Sequence, residues 1–432
     1  MTDWHDDILE NCLETLLDYR GKSPPKASVG IPVLSAKVVK TSGLLQPIEQ
    51  KIAFDYYAKW MVRGLPHVGD VVMTTEGPMG EVIQLTEETV QYALGQRIVC
   101  LRGKSGILDN TFLRYLLSSP SQQNILEGYS TGTTVPGISQ KALRSLPISY
   151  PPFDTQRQIG ILLSSLDDKI DLNRRTNETL EAMARTLFRD WFVDFGPTRA
   201  KMAGEAPYLA PELWELFPDR LDDEGKPEGW HISSIGDEAD IVGGSTPSTS
   251  NPIFWNGNHF WATPKDLSGL NSPVLSDTSR QITDEGLTQI SSGLLPSGSV
   301  LLSSRAPVGY TAITTIPLAI NQGFIGVKCA KSLSAPYVLL WMKESMELIL
   351  QNANGSTFQE ISKKNFRPLP IIKASHDLLK AFDIQSQGIF DKIIVNEAES
   401  RNLAQLRDLL LPKLMSGEIS IRDAEKMVED AA

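Results

Sequence analysis

Apolar residues recur in alternating steps of four and three along Ile159, Leu163, Leu166, Ile170, Asn173, Asn177, Leu180, Ala184, Leu187 and Trp191. A 3.5-residue period predicts a helix whose narrow apolar stripe faces another helix. The stripe covers about 32 residues, on the order of 50 Å of helix. A weaker stripe, Phe382, Ser386, Ile389, Ile393, Asn396, Ser400, Leu403, Arg407, Leu410 and Leu414, predicts a second such helix. Pro412 is expected to end or kink it near Leu411. Polar patches interrupt both stripes at matching places. A buried Asn costs stability there but fixes register, and Asn396 is the expected partner of Asn173. Two arrangements fit: helices that each cover their own domain, or helix packed on helix. The period favours the second.

Elsewhere the pattern is mixed. Val71-Val72-Met73 and Val300-Leu301-Leu302 are β-type runs bounded by Gly and Pro. Phe112–Leu117 and Tyr337–Met342 read as short helices, and residues 3–18 as an N-terminal helix. Leu146-Pro147-Ile148 and Leu369-Pro370-Ile371 read as edge strands leading out of a domain. Residues 196–228, punctuated by Pro197, Pro207, Pro211 and Pro218, read as a joint with a solvated turn over 221–227.

The chain contains itself twice. A slide of 223 residues lays Thr131–Ser139 over Asn354–Ser362, Leu146-Pro147-Ile148 over Leu369-Pro370-Ile371, and Asp168-Lys169-Ile170 over Asp391-Lys392-Ile393. Upstream, with small indels, Gly69–Thr75 answers Gly298–Ser304, Pro78-Met79-Gly80 answers Pro307-Val308-Gly309, and Gly21–Pro24 answers Gly244–Pro247. Each copy reads as a mixed domain followed by a long helix.

The net charge of −11 over 432 residues weighs against a phosphate-binding protein, but its distribution changes the picture. Residues 1–19 hold six acids and no Lys or Arg. Residues 20–152 carry a net +5, residues 197–228 a net −4, and residues 229–372 are near neutral. Cys12, Cys100 and Cys329 are too few and scattered for a disulfide framework or a metal knuckle. No apolar run has membrane-span length, and the acidic start Asp3-Trp4-His5-Asp6-Asp7 is unlike a signal peptide, so a cytoplasmic protein is expected.

Catalytic motifs fail one by one. Gly21-Lys22-Ser23 and Gly103-Lys104-Ser105 end like phosphate loops, but the required earlier glycine is Leu16 or Ile98. Tyr150-Pro151-Pro152-Phe153 is similar to an amino-methyltransferase loop, yet Tyr150 cannot replace its Asn or Asp; it reads as a strand exit and helix start. Pro218-Asp219 with Glu224-Gly225-Lys226 imitates a nuclease cluster within one short Pro/Gly-rich stretch. The five histidines show no ligand spacing. No metal or cofactor is expected in this chain.

Leu187-Phe188-Arg189-Asp190-Trp191-Phe192-Val193-Asp194-Phe195, Leu216–Arg220 with Pro227–Trp230, Pro152–Ile159 and Leu410–Ile419 resemble the specificity subunits of type I restriction–modification enzymes. So do the Gly-Ser/Thr-Thr…Ile-Ser…Leu-Pro-Ile blocks, and the resemblance covers essentially the whole chain. It implies an α+β fold: two mixed α/β target-recognition domains in tandem, each followed by a long helix, the helices packing as an antiparallel coiled-coil spacer. The expected domains are 1–152, a spacer helix 153–196, a linker 197–228, the second recognition domain 229–372, and a C-terminal spacer helix and tail 373–432. The resemblance further implies a non-catalytic subunit that binds double-stranded DNA, each domain reading one half of a bipartite site. Its implied partners are two methyltransferase subunits, which hold S-adenosylmethionine, and, where the system has one, a motor–nuclease subunit using ATP and Mg. The alternatives are a standalone DNA-binding protein and an enzyme with an unrecognised site. For DNA contact the expected residues are Lys22, Ser23, Lys26, Lys37 and Lys104 in the first domain. In the second they are Ser245, Thr246, Lys265, Arg305, Asn321 and Gln322, with Lys141 and Lys364 as matched phosphate holders. Trp191 and Phe192 are expected in the core.

Overall fold

The computed structural model describes residues 4–19, 21, 23–132, 135–329, 331–355 and 359–431. The chain forms two compact units, Met1–Ile170 with Arg401–Ala432, and Asp171–Ser400.

In the first unit an antiparallel sheet runs in the order Leu13–Asp18, Ile98–Gly103, Val71–Thr75, Met79–Gln84. Its two central strands carry the unbroken apolar runs Val71–Met73 and Ile98–Leu101 because both faces are covered there. Val71, Met73, Val99 and Leu101 point into one cluster with Phe112, Leu116, Ile159, Leu163, Leu166, Leu410 and Leu414. Val72, Ile83 and Cys100 point into another with Val33, Leu34, Ile52, Ala93 and Leu94. The first cluster joins the sheet to the long helices. The second joins it to a small sheet in which Ile31–Leu34 pairs antiparallel with Lys51–Ile52 and parallel with Ala93–Leu94.

The second unit repeats this plan. Asp240–Gly243, Phe324–Lys328, Val300–Ser304 and Val308–Thr314 form the main sheet, with Val274–Leu275 added at the edge. Trp255–Ala262 pairs antiparallel with Arg280–Ile282 and parallel with Leu318–Ile320 in the small sheet. Short helices Asn110–Ser118 and Ala335–Glu344, capped by Asp109 and Ser334, back the two main sheets. The Leu-Pro-Ile strands Pro147–Tyr150 and Pro370–Lys373 each have a single neighbour, His5–Ile8 and His231–Ser234.

Three expectations require correction. The N-terminal segment is not a helix over 3–18. It is a strand His5–Ile8, one turn Leu9–Cys12 and a strand Leu13–Asp18. Pairing with Pro147–Tyr150 and Ile98–Gly103 outweighs its helical propensity. Pro412 does not end the C-terminal long helix, which runs His376–Met415. Burial of Leu410, Leu411, Leu414 and Met415, at ~1.5–3 kcal/mol each, exceeds the ~3 kcal/mol proline cost. Residues 197–228 are not a plain linker. Helices Gly196–Ala203 and Pro211–Trp214 fold back, Trp214 and Phe217 are buried, and Phe217 stacks edge-on to Trp191 at 5.1 Å.

The central long helix spans Phe153–Phe192. Gln156 anchors its first turn, accepting from Asp109 N and donating to the Ile107 and Pro151 carbonyls. In each unit it packs antiparallel to a stretch of the second long helix. In the first unit Asp167 accepts from Arg114 (2.7 Å), Tyr115 (2.6 Å) and Arg407 (2.7 Å). In the second, Asn173 Nδ2 donates to Glu399 (2.8 Å), Ser400 (3.2 Å) and the Asn396 carbonyl (3.4 Å). Asn396 Nδ2 donates to Asn177 (2.8 Å), and Asn177 Nδ2 to Glu397 (2.9 Å). Ile159, Leu163, Leu166, Asn173, Ile393, Asn396 and Leu410 are buried on the stripe; Ile170, Leu180, Leu187, Ile389 and Leu403 are half-buried. Beyond Ala184 the stripe drifts, so that Phe188 and Phe390 are buried in place of Leu187 and Ile389. A straight helix turns every 3.6 residues, and here it faces a domain core as well as a helix. Both arrangements left open by the sequence are therefore present.

Candidate nucleic-acid interface

In the second unit, loops leaving the small sheet converge. The Gly244–Thr246 segment lies against the turn after Leu318–Ile320: Ser245 N donates to the Ile320 carbonyl at 3.1 Å. A Cβ on Gly244 would stand 1.8 Å from that oxygen, so only glycine permits this approach. Thr246 Oγ1 donates to the Gln322 side chain, and Ser245 Oγ donates to the Gln289 carbonyl. Asn321 serves its own turn, its Oδ1 accepting from Gly323 N at 2.8 Å. Lys265 is exposed on the adjoining helix Pro264–Ser268, whose Pro264 would meet a Cβ on Gly323 at 2.9 Å. Ser245, Thr246, Lys265, Asn321 and Gln322 thus share one edge of this unit. Arg305 lies at the tip of the Val300–Ser304 hairpin, facing Glu360 at 3.9 Å.

The same edge carries groups the sequence pattern did not single out. Arg280 is exposed, with its guanidinium 3.4 Å from the centroid of the Trp255 ring. Lys363, neighbour of Lys364, places Nζ 3.1 Å from where a Cβ on Gly243 would be. Spacing along the chain gave no signal for Arg280, because its partner tryptophan is on another strand.

The first unit is less gathered. Lys37 stands three residues past the strand Ile31–Leu34, as Lys265 stands three past Trp255–Ala262, and both strands end in parallel register with their neighbours. Lys37 is exposed and 3.6 Å from Glu49. Ser23 and Lys26 are exposed beside the Ala27–Lys51 bridge, and Lys22 lies outside the described residues, as do Thr133, Thr134, Ser356 and Thr357 of the repeated block. The turn equivalent to Asn321-Gln322 is Gly95-Gln96-Arg97, with Arg97 held 3.6 Å from Glu76. Lys104 is at the far end of the strand Ile98–Gly103 from that turn, bonded through its N–H to the Cys12 carbonyl. A six-residue strand spans roughly 20 Å, so the structure removes Lys104 from this loop cluster. Lys141 and Lys364 occupy the second position of equivalent helices, Gln140–Arg144 and Lys363–Phe366, capped by Ser139 and Ser362.

Among the described residues no group of three or more His, Cys, Asp or Glu side chains is placed to hold a metal ion, and no helix is long and apolar enough to cross a membrane. What the edges offer is hydroxyls, amides and cations on loops.

Comparison with known proteins follows this duplication. The model of the type I restriction modification DNA specificity domain matches residues 22–182 and 227–373, one stretch in each copy. The chain is 27% identical over 399 residues to the HindI type I restriction enzyme specificity subunit of Haemophilus influenzae, covering 81% of this chain and 86% of that one. It is 25% identical over 367 residues to the MjaIX specificity subunit of Methanocaldococcus jannaschii, covering 82% and 78%. Its fold is similar to the crystal structure of a type I restriction–modification S subunit from M. genitalium, with a TM-score of 0.56 at 15% identity over 96% of each chain. With its two matches to the family model together covering well over half its length, the chain belongs to the type I restriction modification DNA specificity family.

Proposed function

We propose that this chain is the DNA-reading subunit of a type I restriction–modification complex, each recognition domain reading one half of a bipartite site. The observation that carries this reading is a single sheet-on-sheet plan built twice, each copy presenting loops from its small sheet. Two readers of one design suit two half-sites of double-stranded DNA. The side chains offered for contact are Ser23, Lys26 and Lys37 in one domain and Ser245, Thr246, Lys265, Asn321 and Gln322 in the other, with Lys141 and Lys364 toward phosphates. The long helices set the spacing of the half-sites and dock two methyltransferase subunits. Transfer of the methyl group then belongs to those partners with S-adenosylmethionine, and ATP with Mg to a motor–nuclease partner. This chain supplies recognition without a catalytic group, and it works in the cytoplasm, where that DNA is.

The test is exchange of residues 229–372 for the matching block of a relative, followed by mapping of methylated motifs in cells. One half of the motif should change and the other stay. Change in both halves, or in neither, contradicts the two-reader model.

A further inference from the structure

We propose that Arg280 reads a guanine in the half-site of the second recognition domain; this rests on the reading of the chain as a two-domain DNA reader. Residues 229–372 contain three arginines, Arg280, Arg305 and Arg367. Two are engaged: Arg305 faces Glu360, and Arg367 donates to the Ile241 carbonyl at 2.9 Å. The Arg280 guanidinium lies 3.4 Å from the Trp255 ring centroid and 5.6 Å from that of Trp261. Among the described residues it makes no hydrogen bond or ion pair. The carboxylates nearest to it along the chain bond elsewhere: Asp277 accepts from Thr278 N, and Asp284 bonds His259.

The stack is fixed from below. Trp255 and Trp261 are buried, their rings 5.0 Å apart at 82°. Trp255 Nε1 donates to the Ser248 carbonyl at 3.0 Å, and Trp261 Nε1 to the Ser245 carbonyl at 3.2 Å. Strand register sets Arg280 opposite Trp261. Both indoles are therefore tied to the loop that carries Ser245 and Thr246. The result is an exposed guanidinium packed over a fixed indole ring with its donors unengaged, at the edge where the contact loops meet. A phosphate contact needs charge but no fixed plane. A bidentate contact to guanine O6 and N7 needs both, and a planar fork preorganised on an aromatic face supplies both. In the first domain Gln50 occupies the equivalent position, opposite Val33.

The experiment is methylated-motif mapping in cells carrying the intact complex with Arg280→Gln, Arg280→Lys or Trp255→Phe, beside the 229–372 exchange. With Arg280→Gln and Arg280→Lys, preference for guanine at one position of the second half-site should fall about ten- to a hundredfold, the other half staying intact. Trp255→Phe should weaken the same position less. An unchanged motif in both arginine variants, or full discrimination restored by lysine, overturns the proposal. So does uniform weakening across all sites with no loss of base preference, which marks a phosphate contact. An exchange of 229–372 that leaves the motif unchanged instead removes the two-domain reading itself, so the two failures are distinguishable.

Discussion

One pair of residues shows how equivalent positions in the two copies are filled by different chemistry. His5–Ile8 pairs with Pro147–Tyr150 as His231–Ser234 pairs with Pro370–Lys373, placing Tyr150 and Lys373 at matching sites. In the first copy Tyr150 bonds with Cys12, and burial pushes that thiol up from its ordinary value. In the second, Lys373 bonds Glu238 at 2.9 Å. Burial opposes ionisation of Glu238, but hydrogen bonds from Ser332, Lys373 and Ser233 outweigh it and hold the carboxyl below its ordinary 4.5. A depressed carboxylate contributes stability above its unfolded value, and that contribution is lost as pH falls through the folded one. Urea midpoints of the wild type should therefore drop below pH 4.5 more steeply than those of Glu238→Gln; equal slopes would remove Glu238 from the acid response. Asp167 makes a second case. It receives two arginines and a tyrosine at 2.6–2.7 Å. Asp167→Ala strands these donors and should cost about 2–4 kcal/mol in chemical denaturation, whereas a loss under 1 kcal/mol would make the cluster ornamental.

At the scale of the element, the long helices combine apolar and polar layers. Asn173, Asn177 and Asn396 are buried and bonded mainly across the pair. Asn396→Leu leaves the Asn177 amide oxygen without its donor and should lower stability by about 1–3 kcal/mol. Replacing Asn173, Asn177 and Asn396 together by Leu removes most of the unmet groups with their partners. It should recover most of that loss in thermal melts, at the expense of a fixed register. If the triple variant melts below the single one, the layer stabilises rather than specifies. By the same bonds a change in one helix alone should disturb the other, since Asn173 reaches Asn396, Glu399 and Ser400 at once.

At the scale of the whole chain, the proposed spacing role makes a metric prediction. Four residues inserted after Ile170 and four after Ser400 leave the Asp167–Arg407 and Asn173–Ser400 pairs each intact. Each helix lengthens by about 6 Å. DNA rises ~3.4 Å per base pair, so the gap in the methylated motif should grow by about one to two base pairs with both half-sites unchanged. An unchanged gap in an active variant would mean that the helices do not set it.

The sequence by itself determined the duplication, the two long helices and the family, because these rest on repeated local patterns: apolar runs, a 3.5-residue period and matched Leu-Pro-Ile steps. It also held a clue to the N-terminal strand, since Trp4-His5 stands over Trp230-His231 as the copies are superposed by strand pairing. The helical reading failed there because strand pairing comes from residues about 80 to 145 positions away. Only the tertiary structure decided which polar groups are free to bind. Thr246 and Gln322, read alike as contacts, are 76 residues apart, and the fold joins them as one hydrogen-bonded pair on the contact edge, with the Gln322 amide N–H groups left to donate. Lys104 is carried to the end of its strand away from the loop cluster, and Arg280, with no mark in the sequence, is set on Trp255 with its donors unspent. A hydrogen bond is made by whichever group the fold brings within about 3 Å, and that proximity is not written in the spacing of residues along the chain.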